Sequence, residues 1–155
     1  MSNYLPDEID LLIMNLLQKD GLMTYKEISG HLKKSMTNVL DRIKNLKKTG
    51  YIRKTVAQLE INKLKSLLVA FPHIQLKDHS GESINAFQQE MQNLPEVMEC
   101  YHLTGNFDFM IKIAIPDMFS YNEFLRNKIS PLPYVGAIQS FIVLSELKYE
   151  TAYKL

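Results

Sequence analysis

Basic side chains cluster between Thr24 and Lys54. Nine lysines and arginines and only two acidic residues give this stretch a net charge of +7, whereas the whole chain carries +1. Ammonium and guanidinium groups gathered in this way bind phosphate oxygens, so the stretch is suited to a polyanion such as nucleic acid. The nine positions are Lys26, Lys33, Lys34, Arg42, Lys44, Lys47, Lys48, Arg53 and Lys54.

Two short helices are expected to position these charges. Thr24 and Glu27 form a capping box that begins one helix, and Ser35 is a cap for a second helix from Met36 to about Thr49. Only a few residues separate the two, a spacing typical of a helix–turn–helix. The first turn of the second helix would then face base edges with Met36, Thr37 and Asn38, and Asn suits a bidentate contact with adenine.

The rest of the first third of the chain fits the same fold. Asp7 caps an earlier helix, and Gly21 is expected to end it in a left-handed conformation. Gly50 ends the basic helix, and Tyr51 to Lys54 is predicted to be the first strand of a small wing. The sequence thus predicts a winged helix–turn–helix over residues 1–54 and a linker or wing strand over 55–66. The alternative is that the basic face is merely solvated.

Residues 67–155 follow the order strand, helix, strand, strand, helix, strand, which is the ferredoxin-like βαββαβ plan of an α+β fold. Pro72 in the first strand predicts a bulge or an edge position there. Gly105-Asn106 predicts a two-residue hairpin turn, and the last strand is expected over Ala137 to Tyr149.

One face of this sheet is expected to need cover. Several large apolar residues alternate onto a face that two helices on the other side would leave open. We therefore expect sheet-to-sheet pairing with a second copy, which would form a homodimer. The alternative is that these residues face the helices of their own chain. They are Phe71, Tyr101, Phe141, Val143 and Leu147.

Composition limits the other possibilities. No apolar run is long enough to span a membrane, and the acidic N-terminus is unlike a signal peptide, so a cytoplasmic protein without a membrane partner is expected. The lone Cys100 is expected to be a buried strand residue. Residues 1–60 carry +3 and residues 61–155 carry −2, which suggests a nucleic-acid-binding half and a half with another role.

The order of these elements, with a set of short motifs, resembles the Lrp/AsnC family of transcription regulators, also called feast/famine regulatory proteins. The resemblance covers nearly the whole chain, and the joint order of the motifs is specific. The motifs are Asp7-Glu8-Ile9-Asp10, Leu17-Gln18-Lys19-Asp20-Gly21, Leu40-Asp41-Arg42-Ile43 with Leu46, Gly50-Tyr51-Ile52, Gly105-Asn106-Phe107-Asp108-Phe109, Ile115-Pro116-Asp117-Met118 and Leu132-Pro133.

The resemblance implies a regulator that binds double-stranded DNA, dimerises through its second domain and often forms octamers. It also implies a small-molecule effector, with an amino acid as the expected class, bound between dimers. The expected DNA-binding residues are Lys33, Lys34, Ser35, Met36, Thr37, Asn38, Arg42, Lys44, Lys47, Arg53 and Lys54. The expected effector-binding residues are His102, Leu103, Thr104, Gly105, Asn106, Phe107, Asp108 and Ser140.

Asp108 is expected to pair with the α-ammonium group of the effector, or else to bond to its own backbone as a turn residue. Three features depart from the family pattern: Lys33 and Lys34 replace a glycine and an apolar residue, Met36 and Asn38 replace commoner residues such as proline, and Asn106 replaces an aspartate. No metal site, cofactor or catalytic group is expected.

Two other functions remain open at this point. A branch that resembles this family decarboxylates sirohaem with the same two-domain architecture, but the four histidines, His31, His73, His79 and His102, have no metal-binding spacing. The other alternative is an amino-acid-sensing module that has lost DNA binding.

Overall fold

The computed structural model describes residues 4–155, except for the side chain of Asn62. The chain divides into two compact units. The first contains the residues up to Leu59 together with Lys148–Leu155, and the second contains Glu60–Leu147. The C-terminal eight residues thus belong with the N-terminal unit, whereas the sequence-based division assigns them to the second domain.

The N-terminal unit contains three helices: α1 (Glu8–Lys19), α2 (Tyr25–Leu32) and α3 (Met36–Lys48). Each begins at the predicted cap, because the side chains of Asp7, Thr24 and Ser35 each accept a bond from the N–H three residues later. The three helices share a fully buried apolar core, which consists of Ile13, Ile28, Val39, Ile43 and Leu46.

Gly21 does not have the predicted left-handed conformation. Helix α1 ends at Asp20, whose backbone is extended, and Gly21 is not among the residues with positive φ. A Cβ added at Gly21 would lie 2.8 Å from Cγ2 of Thr55. Gly21 lies in a turn with φ below zero, and a side chain here would require the methyl group of Thr55 to move.

The predicted wing strand at Tyr51 to Lys54 does not form: Tyr51 and Ile52 are bends, and residues 53–60 have no regular structure. A strand needs a hydrogen-bonded neighbour, and the described residues of this unit contain no other strand. Ile52 is instead held at the end of α3, where its N–H donates to the carbonyl of Leu46 at 3.1 Å.

The second unit has the ferredoxin-like plan that the sequence predicts. Its four-stranded antiparallel sheet has the order β2-β3-β1-β4, and two helices pack on one face. Its elements are β1 (Leu68–Leu76), α4 (Gly81–Asn93), β2 (Val97–His102), β3 (Phe109–Ile115), α5 (Met118–Phe124) with a π-helical turn (Leu125–Ile129), and β4 (Val135–Ile142).

Pro72 lies on a central strand, so the predicted edge position or bulge is wrong. Strand β1 pairs with β3 on one side and β4 on the other, and its register to β3 is the same at Ala70↔Ile113 and His73↔Met110. Pairing to β3 lapses between those positions, which accommodates the missing N–H without shifting the register. The side chain of Pro72 is fully buried.

Strand β4 is shorter than predicted. It ends at Ile142, although the N–H of Val143 still donates to the carbonyl of Val69 at 2.9 Å. The chain then leads to Lys148–Leu155, which pack on α1. There the Gln18 amide donates to the carbonyl of Tyr153 at 3.1 Å and accepts from its N–H at 2.7 Å.

The sheet face opposite the helices carries the apolar residues that the sequence singled out. Phe71 and Phe141 are paired across β1 and β4, and Tyr101 is paired with Met110, all out of phase with the buried residues that face the helices. Val143 continues the pairing through its N–H to the carbonyl of Val69, so alternation places it on the same face as Phe141, whereas Leu147 lies beyond β4. Cys100 is exposed rather than buried, because β2 is an edge strand.

Candidate DNA-binding and effector sites

Helix α3 presents a polar face to solvent. Val39, Ile43 and Leu46 are buried, and the residues on the opposite side of the helix are exposed. Helical spacing places Thr37, Asp41, Lys44 and Lys48 on that exposed side. The lysines can therefore reach phosphates while the apolar residues hold the helix. Lys48 extends this face one turn beyond Lys44. It is one of the nine basic residues of the stretch, but it is not among the expected DNA-binding residues, although its helical spacing from Lys44 points to that role.

The turn before α3 is built from basic residues. Lys33 has a left-handed backbone, φ 51°, and is the only non-glycine residue with positive φ in the described part of the chain. Its N–H donates to the carbonyl of Gly30, and the N–H of Lys34 donates to that of Ser29. Both lysine side chains are exposed, and the hydroxyl of Ser35 caps α3 by accepting from the N–H of Asn38 at 3.2 Å.

Arg42 is held differently from the DNA contact that the sequence predicts. Its Nη1 donates to the carboxylates of Asp7 and Asp10, each at 2.9 Å, and its side chain is only 23% exposed. Asp10 itself is 1% exposed and also accepts from the hydroxyl of Tyr4. Arg42 therefore joins α3 to the start of α1, so we revise its role from phosphate contact to internal link.

Asn38 is bonded to the same arginine. The Nε of Arg42 donates to Oδ1 of Asn38 at 3.2 Å, one helical turn away, while the Asn38 residue remains exposed. Met36 is 56% exposed and Thr37 is also exposed. The first turn of α3 thus offers three solvent-facing side chains, of which one is held by an internal contact.

The remaining predicted DNA-binding residues are exposed. Arg53 and Lys54 lie on the irregular segment after Gly50, and Lys47 borders a cavity of about 280 Å³ beside the start of α2. The N–H groups at that helix start are partly used by the capping box of Thr24 and Glu27, in which bonds from Thr24 lower the pKa of the glutamate.

The predicted effector turn joins β2 to β3 and is longer than a two-residue hairpin, since it spans residues 103–108. The N–H of Leu103 donates to the carbonyl of Asp108 at 2.8 Å, and the N–H of Asp108 donates to that of Ile74. Gly105 has φ 119°, a conformation that strains other residues. Thr104, Gly105 and Asn106 are exposed, whereas Leu103 and Phe107 are partly buried.

Asp108 does not bond to its own backbone as a turn residue. Its Oδ2 accepts from the backbone N–H of Leu76 at 2.7 Å, and its Oδ1 lies 2.9 Å from Nε2 of His79. Asp108 is 8% exposed, whereas the His79 side chain is 69% exposed. The carboxylate is thus fixed on one side by the backbone and covered on the other by a solvent-facing ring.

His102 connects this turn to a cavity of about 440 Å³ at the β2 edge of the sheet. Its ring stacks on that of Phe109, with centroids 4.7 Å apart. The cavity is lined by both polar and apolar groups from α4, β2 and β3: Gln88, Met91, Gln92, Val97, Met98, Glu99, Cys100, His102 and Phe109.

Ser140 does not join the other predicted effector residues within one chain. It lies on β4, which is the edge strand opposite β2, and its hydroxyl accepts from that of Tyr121. The turn approaches the neighbouring residue instead, because Phe107 stacks on His73 and His73 contacts the ring of Phe141.

The described residues contain neither a metal-binding cluster nor a membrane-spanning helix. Residues 4–155 contain no group of three or more His, Cys, Asp or Glu side chains arranged to hold a metal ion. Nor does any helix in that range have the length and apolar character to cross a membrane.

Two family models match the chain. Residues 69–153, more than half of its length, match the Lrp/AsnC ligand binding domain, and residues 6–53 match a winged helix-turn-helix DNA-binding model. The first match covers the sheet and its 103–108 turn, and the second covers the three capped helices.

Similar proteins cover nearly the whole chain. The leucine-responsive regulatory protein of Escherichia coli is 33% identical over 142 residues, 92% of this chain and 87% of that protein. The Bkd operon transcriptional regulator of Pseudomonas aeruginosa is 28% identical over 94% of this chain and 95% of that protein. A solved structure of transcriptional regulator NMB0573 from Neisseria meningitidis with L-Met has a TM-score of 0.87 at 27% identity and covers 97% of both chains. The chain therefore belongs to the Lrp/AsnC family of DNA-binding transcription regulators.

Proposed function

We propose that this protein regulates transcription in the cytoplasm by placing α3 in the major groove of specific DNA sites. The observation that carries the proposal is the exposed face of α3, where Lys44 and Lys48 follow Thr37 at helical spacing behind a turn with two exposed lysines. Basic side chains along such a helix contact phosphates, and the first turn reaches base edges. Lys33, Lys34, Lys47, Arg53 and Lys54 are further phosphate contacts in this proposal.

Selection of genomic fragments by the intact protein tests this function. The expected result is retention of a limited set of fragments at low salt, with affinity that falls as salt is raised because counterions are released from the DNA. Retention of no fragment by a folded protein would contradict the proposal. The same selection on the Lys44→Ala variant should weaken binding to every fragment without changing which fragments are preferred.

The second part of the proposal is an amino-acid effector whose ammonium group binds Asp108. Asp108 has one oxygen held by the N–H of Leu76, and the other meets only the exposed ring of His79 among the described contacts. An ammonium group can replace that imidazole with a charge-assisted hydrogen bond. Backbone N–H groups of the exposed residues Thr104, Gly105 and Asn106 would bind the carboxylate. The bound L-Met of the Neisseria protein supports this class of ligand.

Calorimetry with L-methionine and L-leucine tests the effector site. Removing the competing ring in His79→Ala should tighten binding by about two- to fivefold, since an exposed ion pair is worth about 0.2–1 kcal/mol. The analogue 4-(methylthio)butanoate lacks the ammonium group, so its affinity should not increase in His79→Ala. His31→Ala, which removes an exposed histidine from α2, is the control. Unchanged or weaker methionine binding in His79→Ala would contradict the proposed effector site and leave the proposed DNA binding by α3 standing.

We further propose a homodimer formed through the open sheet face, with higher assemblies such as an octamer. Tyr101 and Phe141 are 46% and 45% exposed on that face, and large exposed aromatic groups are typical of interfaces. Light scattering of the intact protein, with and without L-methionine, measures both expectations.

A regulator is favoured over an enzyme. The similar proteins are transcriptional regulators, and the exposed basic face of α3 has no use in a sirohaem decarboxylase or in a sensor that does not bind DNA. We therefore propose no catalytic residue and no cofactor. Turnover of sirohaem by the purified protein would reverse this preference.

A further inference from the structure

We propose that Arg42 determines base preference by fixing the side-chain amide of Asn38 with its N–H groups toward the DNA, so that Asn38 selects guanine rather than adenine. This inference rests on the proposed function, because it needs the first turn of α3 to face base edges. It concerns a positioning residue, since Arg42 acts on the DNA through Asn38. It also replaces the adenine contact expected from the sequence.

The orientation of the amide follows from the chemistry of its neighbour. The oxygen and nitrogen of an asparagine amide are hard to distinguish by shape, so the hydrogen-bond network must assign them. The group that faces Asn38 is Nε of Arg42, at 3.2 Å, and a guanidinium can only donate. The atom toward Arg42 is therefore Oδ1, and the planar amide places Nδ2 on the other side.

Arg42 cannot easily release this contact. Its Nη1 donates to Asp7 and to Asp10, both at 2.9 Å, so the guanidinium plane is held at a second point. Asp10 is 1% exposed and also accepts from the N–H of Asp7, which fixes it at the start of α1. The hydrogen bonds that Arg42 donates to Asp10 and Asp7 raise its pKa, so the guanidinium keeps its charge. The amide is thus oriented by a link that reaches into the interior.

The orientation decides which base edge fits. A bidentate contact with adenine needs one amide hydrogen for N7 and the amide oxygen to accept from N6, but Oδ1 is turned to Arg42. The Nδ2 group carries two hydrogens, and guanine presents two acceptors, N7 and O6, in the major groove. Cytosine presents only a donor there and would be rejected. The preferred partner of Asn38 is therefore guanine.

Selection from a pool of random duplexes tests the inference with the full-length protein. The wild type should enrich guanine at a position that loses its preference in Asn38→Ala. Arg42→Lys keeps the positive charge beside Asp10 but has no fork that can also hold Asn38. In that variant the amide can rotate, so adenine should rise to about the frequency of guanine at the same position, with the salt dependence of binding unchanged.

A second variant is needed in case Arg42→Lys does not fold, which a thermal melt would reveal. Asn38→Asp retains the partner of Arg42 but offers only acceptors, so it should switch the position from guanine to cytosine, the base with a donor. Lys48→Ala is the control: it should weaken binding to all duplexes and leave the base frequencies as they are.

The outcomes separate the two proposals. Wild-type preference for adenine at the position lost in Asn38→Ala would overturn the inference, as would unchanged base frequencies in folded Arg42→Lys. Either result leaves the proposed regulator standing, because sequences are still selected. If the wild type enriches no sequence at all, the proposed function fails and the inference fails with it.

Discussion

Asp10 in the N-terminal unit and Asp108 in the second unit are both buried carboxylates, but their partners differ. Asp10 faces Arg42, whose side chain is 23% exposed and holds Asp7 as well. Asp108 faces His79, whose side chain is 69% exposed. The side chains around His79 are bonded elsewhere, since Lys77 donates to the carbonyl of Pro133 and Asp78 accepts from the N–H of Ser80 and the hydroxyl of Ser83.

The comparison separates a structural link from a replaceable partner. A buried carboxylate needs a compensating positive charge, which Arg42 provides for Asp10. Because the guanidinium also bonds to Asp7, a ligand cation cannot easily take its place. A single contact from an exposed imidazole is worth much less and can be replaced by a ligand cation without moving the loop. The contact between Arg42 and Asp10 therefore suits a rigid recognition surface, and the contact between His79 and Asp108 suits a binding site that has to open for its ligand.

Loss of the arginine should have the largest effect on stability. We expect Arg42→Ala to lower the free energy of unfolding by about 2–3 kcal/mol, because it leaves the buried charge of Asp10 with neutral partners only. Thermal or urea unfolding of the intact protein measures this. Lys44→Ala, on the exposed side of the same helix, should change stability very little. Equal effects of the two substitutions would break the comparison.

Acid should weaken the N-terminal unit through Asp7. The N–H of Asp10, followed by Arg42, lowers the pKa of the Asp7 carboxyl. A lowered pKa in the folded state means stability that is present above the unfolded pKa, about 3.9, and is lost as the pH falls through the folded value. Asp7→Asn keeps a cap but cannot titrate, so its stability should fall less between about pH 5 and pH 2. If the free energy of unfolding fell equally with pH in wild type and Asp7→Asn, titration of Asp7 would not be the cause of the acid sensitivity.

Removing the imidazole should have the smallest effect. His79→Ala is expected to change the free energy of unfolding by less than about 0.5 kcal/mol, because the contact is exposed and screened by solvent. Chemical unfolding of the intact protein, followed by circular dichroism, would measure it. A loss as large as that in Arg42→Ala would mean that His79 is a structural partner of Asp108 and not a replaceable one.

Local signals made most of the fold predictable from the sequence. The capping residues Asp7, Thr24 and Ser35 set the starts of three helices, and alternating isoleucines identified β3. The predictions that failed depend on neighbours distant in the chain. Residues 51–54 lack a pairing partner, β4 ends at Ile142, and Cys100 is exposed because its strand is at an edge.

The candidate sites show the same limit. The positions of the lysines on α3 follow from helical spacing alone, so their exposure could be predicted. The hydrogen-bond partners of Arg42 and Asp108 could not, because Asp10 and Leu76 are 32 residues away in each case. Charge and spacing cannot reveal which cation is already bonded inside the molecule.

The central claim is that the exposed side of α3 binds duplex DNA through its lysines. The most direct test is the affinity of wild type, Lys44→Ala and Arg42→Lys for one selected duplex over a range of salt concentrations. Lys44→Ala should reduce the slope of log K against log salt by about one, and Arg42→Lys should leave it unchanged. The reverse result, with the slope altered only in Arg42→Lys while both variants remain folded, would contradict the account.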